Sequence, residues 1–345
     1  MQESRLSSTQ TLSLGEFRLT SGVSLPAVSV AYASYGQLAA DGGNAILVTH
    51  GYTASHQMLA HGDGVAEGSW APLIGPGKPL DTDHYFIVCS NVLGSCYGTT
   101  GPASIDPRTG APYGPDFPDV CFADIVNVQR GLLERLGVRH LRAVVGPSLG
   151  GFQALQWALD HPGWVDAIGV VVSAPYLPPN PLMNLSSLQA ELQADPSWNV
   201  GRFHAGGGMP KTMKRLRRAT LQAYGMDAVL AAQGMAPRER DQRMDRMAAA
   251  WAAEFDPHSL IVLLKAALGF DVRPRLESLR ADVLYVVANS DQLFPPDPTV
   301  RAALVAASHP KTLRYVEMDT AFGHQASGPA HALWGPALRD LLGDR

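Results

Sequence analysis

The stretch Ala143-Val144-Val145-Gly146-Pro147-Ser148-Leu149-Gly150-Gly151-Phe152-Gln153-Ala154-Leu155 decides the fold. Its first residues form an apolar run of the kind found in a strand buried on both faces. Its last residues open a helix. Between them, Gly146-x-Ser148-x-Gly150 matches the G-x-S-x-G pattern of a sharp strand-to-helix turn. Such a turn holds a serine in a strained conformation with its hydroxyl above the sheet. The flanking glycines leave room for the turn. The helix start aims free N–H groups at the same place, and their partial positive charge suits an oxyanion. Ser148 is therefore the candidate nucleophile, and the Leu149 N–H is one candidate oxyanion donor.

Working outward, the pattern predicts strands over 141–145 and 165–172 with a helix over 151–159 between them. Upstream lie alternating runs at 16–20 and 28–35, apolar runs at 45–49 and 85–89, and a helix over 123–136 that Gly137 stops. Downstream come a strand over 283–287, a helix over 299–307, a strand over 313–318 and a helix over 330–342. Strands alternating with helices predict an α/β fold, a mostly parallel sheet flanked by helices on both faces. Residues 176–270 lack strand runs and hold a Pro-rich turn, a triple glycine at 206–208 and helices rich in Arg and Met. They read as a helical lid inserted into a core formed by 1–175 and 271–345.

A serine hydroxyl needs a base. In this architecture the chain order is Ser, then Asp or Glu, then His. Asp291 falls in the loop after the strand over 283–287, and His324 in the loop after the last strand. Both loops lie on the sheet edge that carries Ser148, so Asp291 is the candidate acid, with Asp297 next in line, and His324 the candidate base. The second oxyanion donor comes from the loop after the third strand, Thr49-His50-Gly51-Tyr52, and is assigned to the Tyr52 N–H. His50 reads as a structural ring beneath that turn, and Cys96 as a core residue.

Composition narrows the function. The 345 residues are 46% hydrophobic and 17% charged, a globular composition, with a net charge of −4. No basic surplus exists for nucleic acid or anionic lipid, and no apolar run is long enough to span a bilayer. The first eight residues lack the pattern of a secretory leader. Three cysteines (Cys89, Cys96, Cys121) fit a reducing cytoplasm better than a disulfide framework. No zinc-ligand spacing, H-E-x-x-H or G-x-G-x-x-G motif occurs, so neither a metal nor a resident cofactor is expected. Gly75-Pro-Gly-Lys78 lacks the remaining residues of a phosphate loop.

Longer blocks carry a family resemblance. The stretch over 80–106, Tyr113-Gly-Pro-Asp-Phe-Pro, the elbow block through Trp157, and Ser290-Asp-Gln-Leu-Phe-Pro-Pro resemble the homoserine O-acetyltransferase family of α/β-hydrolase-fold enzymes. The resemblance implies the α/β-hydrolase fold, Ser148 as nucleophile, Asp291 as acid, His324 as base, an acetyl-CoA or succinyl-CoA donor, and a homodimer formed through the lid helices. The chain departs from the family pattern at Gln325, where members place an Asp that binds the amino group of homoserine. It also lacks the family's Thr-Tyr-Arg-Ser-like stretch, whose arginine binds the substrate carboxylate, although Arg217 and Arg218 lie nearby. In the elbow, Pro147 and Leu149 replace the usual small residue and Met.

A zwitterionic acceptor needs both charges paired in a dry site. These residues therefore favour an esterase cleaving small acetyl esters through an acyl-Ser148 intermediate, with Gln325 in the substrate site. The alternative is an acyl-CoA-dependent O-acyltransferase, for which acetyl-CoA is the donor substrate. A third possibility, a non-catalytic binding protein on this fold, is disfavoured by the complete Ser–Asp–His set.

Overall fold

The structure is a computed structural model that describes residues 9–60, 69–307 and 313–343. The first eight residues, read above as lacking a leader pattern, lie outside the described residues. In chain order the strands are β1 (Gln10–Arg18), β2 (Ser24–Tyr35), β3 (Ala45–Thr49), β4 (Phe86–Ser90), the short pair β5 (Ile105–Asp106) and β6 (Ala111–Pro112), β7 (Leu141–Pro147), β8 (Val165–Val171), β9 (Asp282–Ala288) and β10 (Leu313–Met318). The helices are α1 (Phe122–Arg135), α2 (Leu149–Asp160), α3 (Leu185–Gln193), α4 (Pro210–Ala223), α5 (Met226–Ala232), α6 (Pro237–Ala252), α7 (Pro257–Leu268), α8 (Pro298–Ala307) and α9 (Gly335–Leu342).

Eight strands form one sheet in the order β1-β2-β4-β3-β7-β8-β9-β10. From β4 to β10 every neighbouring pair is parallel; β1 and β2 add an antiparallel edge. The inner strands are mainly apolar because both faces are covered. Along β9, Val283, Tyr285 and Val287 enter one core, whereas Leu284, Val286 and Ala288 enter the other. Helices α1, α2 and α8 close the first core; α9, Trp70 and Trp334 close the second. Each fully buried side chain of this size stabilises the fold by about 1.5–3 kcal/mol.

The helix expected over 330–342 starts later, at Gly335, after short 3-10 turns over Gly323–Ser327 and His331–Leu333. Pro336 explains the difference. It lacks an N–H and is accommodated in a helix's first turn, not in its interior. In the sheet, β1 also begins earlier than the alternating run at 16–20 suggested.

All five helices α3–α7 fall between β8 and β9 and carry apolar clusters of their own. Leu221, Met226, Val229, Leu230, Met244 and Ala248 form one. Leu192, Phe203, Met213, Trp251 and Phe255 belong to another, against which Tyr52 and Cys96 of the core pack. No helix among the described residues is long and apolar enough to cross a membrane.

Candidate active site

The parallel strands deliver their C-terminal ends to one edge, where ligands bind in open α/β sheets. Ser148 follows β7, Asp291 follows β9, and His324 lies in the turn after β10. They form a continuous chain of hydrogen bonds. Ser148 Oγ lies 3.0 Å from His324 Nε2, and His324 Nδ1 lies 2.9 Å from Asp291 Oδ2. Asp291 is fully buried, and Ser148 and His324 nearly so.

The elbow is strained and tightly held. Ser148 adopts φ 55°, ψ −124°. Holding a non-glycine residue there costs on the order of 1–3 kcal/mol, so its surroundings must enforce it. Ser148 N donates to Val171 O (2.9 Å), and Ser173 Oγ donates to Ser148 O (2.7 Å). Thr49 Oγ1 donates to Gly150 O (2.8 Å). The two glycines of the motif have a definite cause. A Cβ at Gly146 would sit 2.1 Å from Thr49 Oγ1, and one at Gly150 would sit 2.4 Å from Thr49 O. The end of β3 thus passes directly beneath the elbow. Gly150→Ala should therefore destabilise the fold by about 3 kcal/mol or more, the upper range for overpacking. Urea denaturation checks this; an unchanged midpoint would contradict the close approach.

Burial would by itself raise the Asp291 carboxyl. The facing His324 and the N–H groups of Phe294 and Leu293 (3.1 and 2.8 Å) outweigh it and hold the carboxyl below its ordinary range. Asp291 Oδ1 takes those two N–H bonds, which leaves Oδ2 for His324. Asp297, the acid next in line, caps α8 through Thr299 N (2.8 Å) and accepts from Tyr176 OH, with no hydrogen bond to His324.

His50 is the structural ring expected. Its Nε2 accepts from Val92 N (3.1 Å), so Nδ1 carries the proton and donates to Gly51 O (2.8 Å). Burial lowers its pKa to about 4. Cys96 packs half-buried against the cluster of Phe203, Trp251 and Phe255, where burial raises its thiol to about 12.

The cleft above Ser148 is small and open at its mouth, and is lined by Tyr52, Thr53, Met58, Tyr224 and Gln325 among others. Leu149 opens α2, and its N–H is among those a helix cannot satisfy internally. Gln325 is buried and lines the cleft; its Oε1 has no hydrogen-bond partner among the described residues. Arg218 is tied to Asp241 and Asp245 of α6, and Arg217 is buried against Thr53 and Trp251.

Sequence reasoning missed two contributors. Val172 lines the cleft at φ 42°, an unusual conformation for a β-branched residue. Tyr224 comes from the end of α4, and its ring stands edge-on to His324 with centroids 4.9 Å apart. No local motif marks either residue.

This fold and this Ser–His–Asp arrangement define a class, the α/β hydrolases, and a family profile described as the alpha/beta hydrolase fold matches residues 44–317. A homoserine O-acetyltransferase from Moorella thermoacetica is 35% identical over 352 residues, covering 94% of each chain. In structure, a homoserine O-acetyltransferase from Bacillus anthracis superposes with a TM-score of 0.85 at 26% identity, covering 99% of both chains. An esterase superposes with a TM-score of 0.84 at 25% identity, covering 97% of this chain and 99% of its own. The chain belongs to the homoserine O-acetyltransferase family of α/β hydrolases and is an acyl-transfer enzyme of that fold.

Proposed function

We propose that the enzyme moves an acyl group from an acyl thioester such as acetyl-CoA to a hydroxyl acceptor through an acyl-Ser148 intermediate. The Ser148–His324–Asp291 hydrogen-bond chain carries this reading. The residue pattern alone leans toward hydrolysis; the acetyltransferase relatives move the weight to transfer. In the first half-reaction His324 Nε2 takes the Ser148 proton as Oγ attacks the acyl carbonyl. Asp291 accepts from Nδ1–H, which fixes the tautomer and stabilises the imidazolium. The N–H groups of Leu149 and Tyr52 receive the tetrahedral oxyanion. Collapse breaks the acyl–sulfur bond, and the leaving thiol takes the proton from His324. In the second half-reaction His324 deprotonates the acceptor hydroxyl as it attacks the acyl carbon; collapse breaks the acyl–Oγ bond, and Ser148 Oγ takes the proton back from His324. The acceptor and donor are small molecules, the setting is the cytoplasm, and the lid helices serve a homodimer.

Two observations make homoserine a weak acceptor. Gln325 carries no charge to pair with an ammonium. The stretch through Tyr224, which lacks the family's arginine-bearing motif, is followed by Gly225 at φ +94°. A Cβ there would lie 2.5 Å from Phe322 O, so the position accepts glycine and supplies no cation. Gln325 Oε1 instead suits a neutral donor such as a hydroxyl. The same observation favours a second reading, in which water takes the acyl group and the enzyme is an esterase.

The test is thiol release from acetyl-CoA with and without a panel of alcohols. Transfer predicts acceptor-dependent release with an ester product; acceptor-independent release with acetate supports hydrolysis. Gln325→Asp should raise acetyl-homoserine formation relative to acetate by roughly one to two orders of magnitude, because a charged hydrogen bond contributes about 1.5–3 kcal/mol. Efficient acetyl-homoserine synthesis by the wild type would overturn this view of the acceptor site.

A further inference from the structure

The loop after β3 is gripped from two sides. On the core side, Trp157 Nε1 donates to Gln129 Oε1 (2.8 Å), Gln129 Nε2 to Gln153 Oε1 (2.7 Å), and Gln153 Nε2 to His50 O (3.0 Å). On the lid side, three helices reach the next residues. Tyr52 OH donates to Leu260 O of α7 (2.6 Å), and Trp251 Nε1 of α6 donates to Thr53 O (3.2 Å). Arg217 Nη1 of α4 donates to Thr53 Oγ1 (2.9 Å), and its guanidinium lies over the Trp251 ring, 4.9 Å from the centroid. Arg217 is only 3% exposed. Burying a cation is costly, so apolar packing alone does not account for it.

We propose that Arg217 and Trp251 are positioning residues that hold the Tyr52–Thr53 backbone at the oxyanion site, so that the lid sets the geometry of the core's second oxyanion donor. This rests on the acyl-serine reading and on the Tyr52 N–H as that donor. The bonds from α4 and α6 end on one residue, Thr53, and the bond from α7 on its neighbour. Together they fix a short loop that Ala54 N to Gly51 O, at 3.3 Å, closes as a turn. A displaced N–H weakens the interaction with the developing oxyanion far more than it weakens substrate binding.

The test measures kcat and KM per active site, with active sites counted by labelling Ser148 with a serine-directed phosphonate. Arg217→Met should lower kcat roughly 10- to 100-fold at unchanged KM, the scale of a small misplacement near the chemistry. Arg217→Lys should recover part of the loss. Thr53→Val should act in the same direction, and the double variant should be no worse than the more severe single one, because both remove the same link. Trp251→Phe keeps an aromatic face under Arg217 and removes the Nε1 donor along with part of the ring, so it tests the idea even if Arg217→Met fails to fold. Full kcat per labelled site in the folded variants, or purely additive losses in the double variant, would overturn the proposal. Ser148→Ala separates the two levels. If it is inactive while these variants keep full kcat, only the positioning role fails; if Ser148→Ala itself turns over, the acyl-serine reading fails, and this proposal with it.

Discussion

Ser148→Ala is expected to lower turnover about 10⁶-fold, the scale seen when a triad serine is removed elsewhere. The reason is local. Oγ is the atom that faces His324 Nε2 at 3.0 Å, while Asp291 holds the ring's other nitrogen. Cys96 packs against the cluster of Phe203, Trp251 and Phe255, and Ser173 Oγ is committed to Ser148 O. The fold should survive, because the bonds that hold the elbow use the Ser148 backbone and not its hydroxyl. A serine-directed phosphonate should label the wild type once and the variant not at all, as read by intact-protein mass. Label on the alanine variant, or turnover within about a hundredfold of wild type, contradicts the nucleophile assignment.

Asp291→Asn should cost about 10⁴ in kcat. An amide nitrogen in place of Oδ2 cannot accept the His324 Nδ1 proton. The ring then favours the tautomer that points N–H at Ser148, which cannot take the serine proton. Because Oδ1 holds Leu293 N and Phe294 N, the loop should keep its shape with the amide oxygen in that position. The substitution should also change acid stability. The folded Asp291 carboxyl is held below its ordinary range, so its contribution is present above the unfolded pKa and is lost as pH falls through the folded one. The asparagine variant should lack that component of the acid dependence. Near-full activity in Asp291→Asn would move the acid elsewhere.

Much of this site was legible because its signals are local. A strand, two glycines and a helix surround Ser148 within a dozen residues. Asp291 and His324 could be placed because parallel strands must end at a common edge. The start of the last helix was misplaced because apolar spacing continues through Ala330, whereas Pro336 governs where the helix begins. What the sequence could not display are bonds between distant segments. Thr49 explains Gly146 and Gly150 from about a hundred residues upstream (|i−j| 101 for the Thr49–Gly150 bond), and Arg217 reaches Thr53 across 164 residues. Neither leaves any periodicity. Gln325 was singled out by resemblance alone; that its Oε1 is buried without a partner at the cleft is a three-dimensional fact.

The central claim is a covalent acyl-Ser148 intermediate whose acyl group passes to a hydroxyl acceptor. The most direct measurement mixes the enzyme with acetyl-CoA, quenches it with acid, and maps acetyl groups by peptide mass. An acetyl group should appear on the peptide that contains Ser148, disappear when a competent alcohol is added, and be recovered in the ester product. Steady turnover with no acetyl group on that peptide, or with acetylation at a different residue that responds to the alcohol, would contradict it.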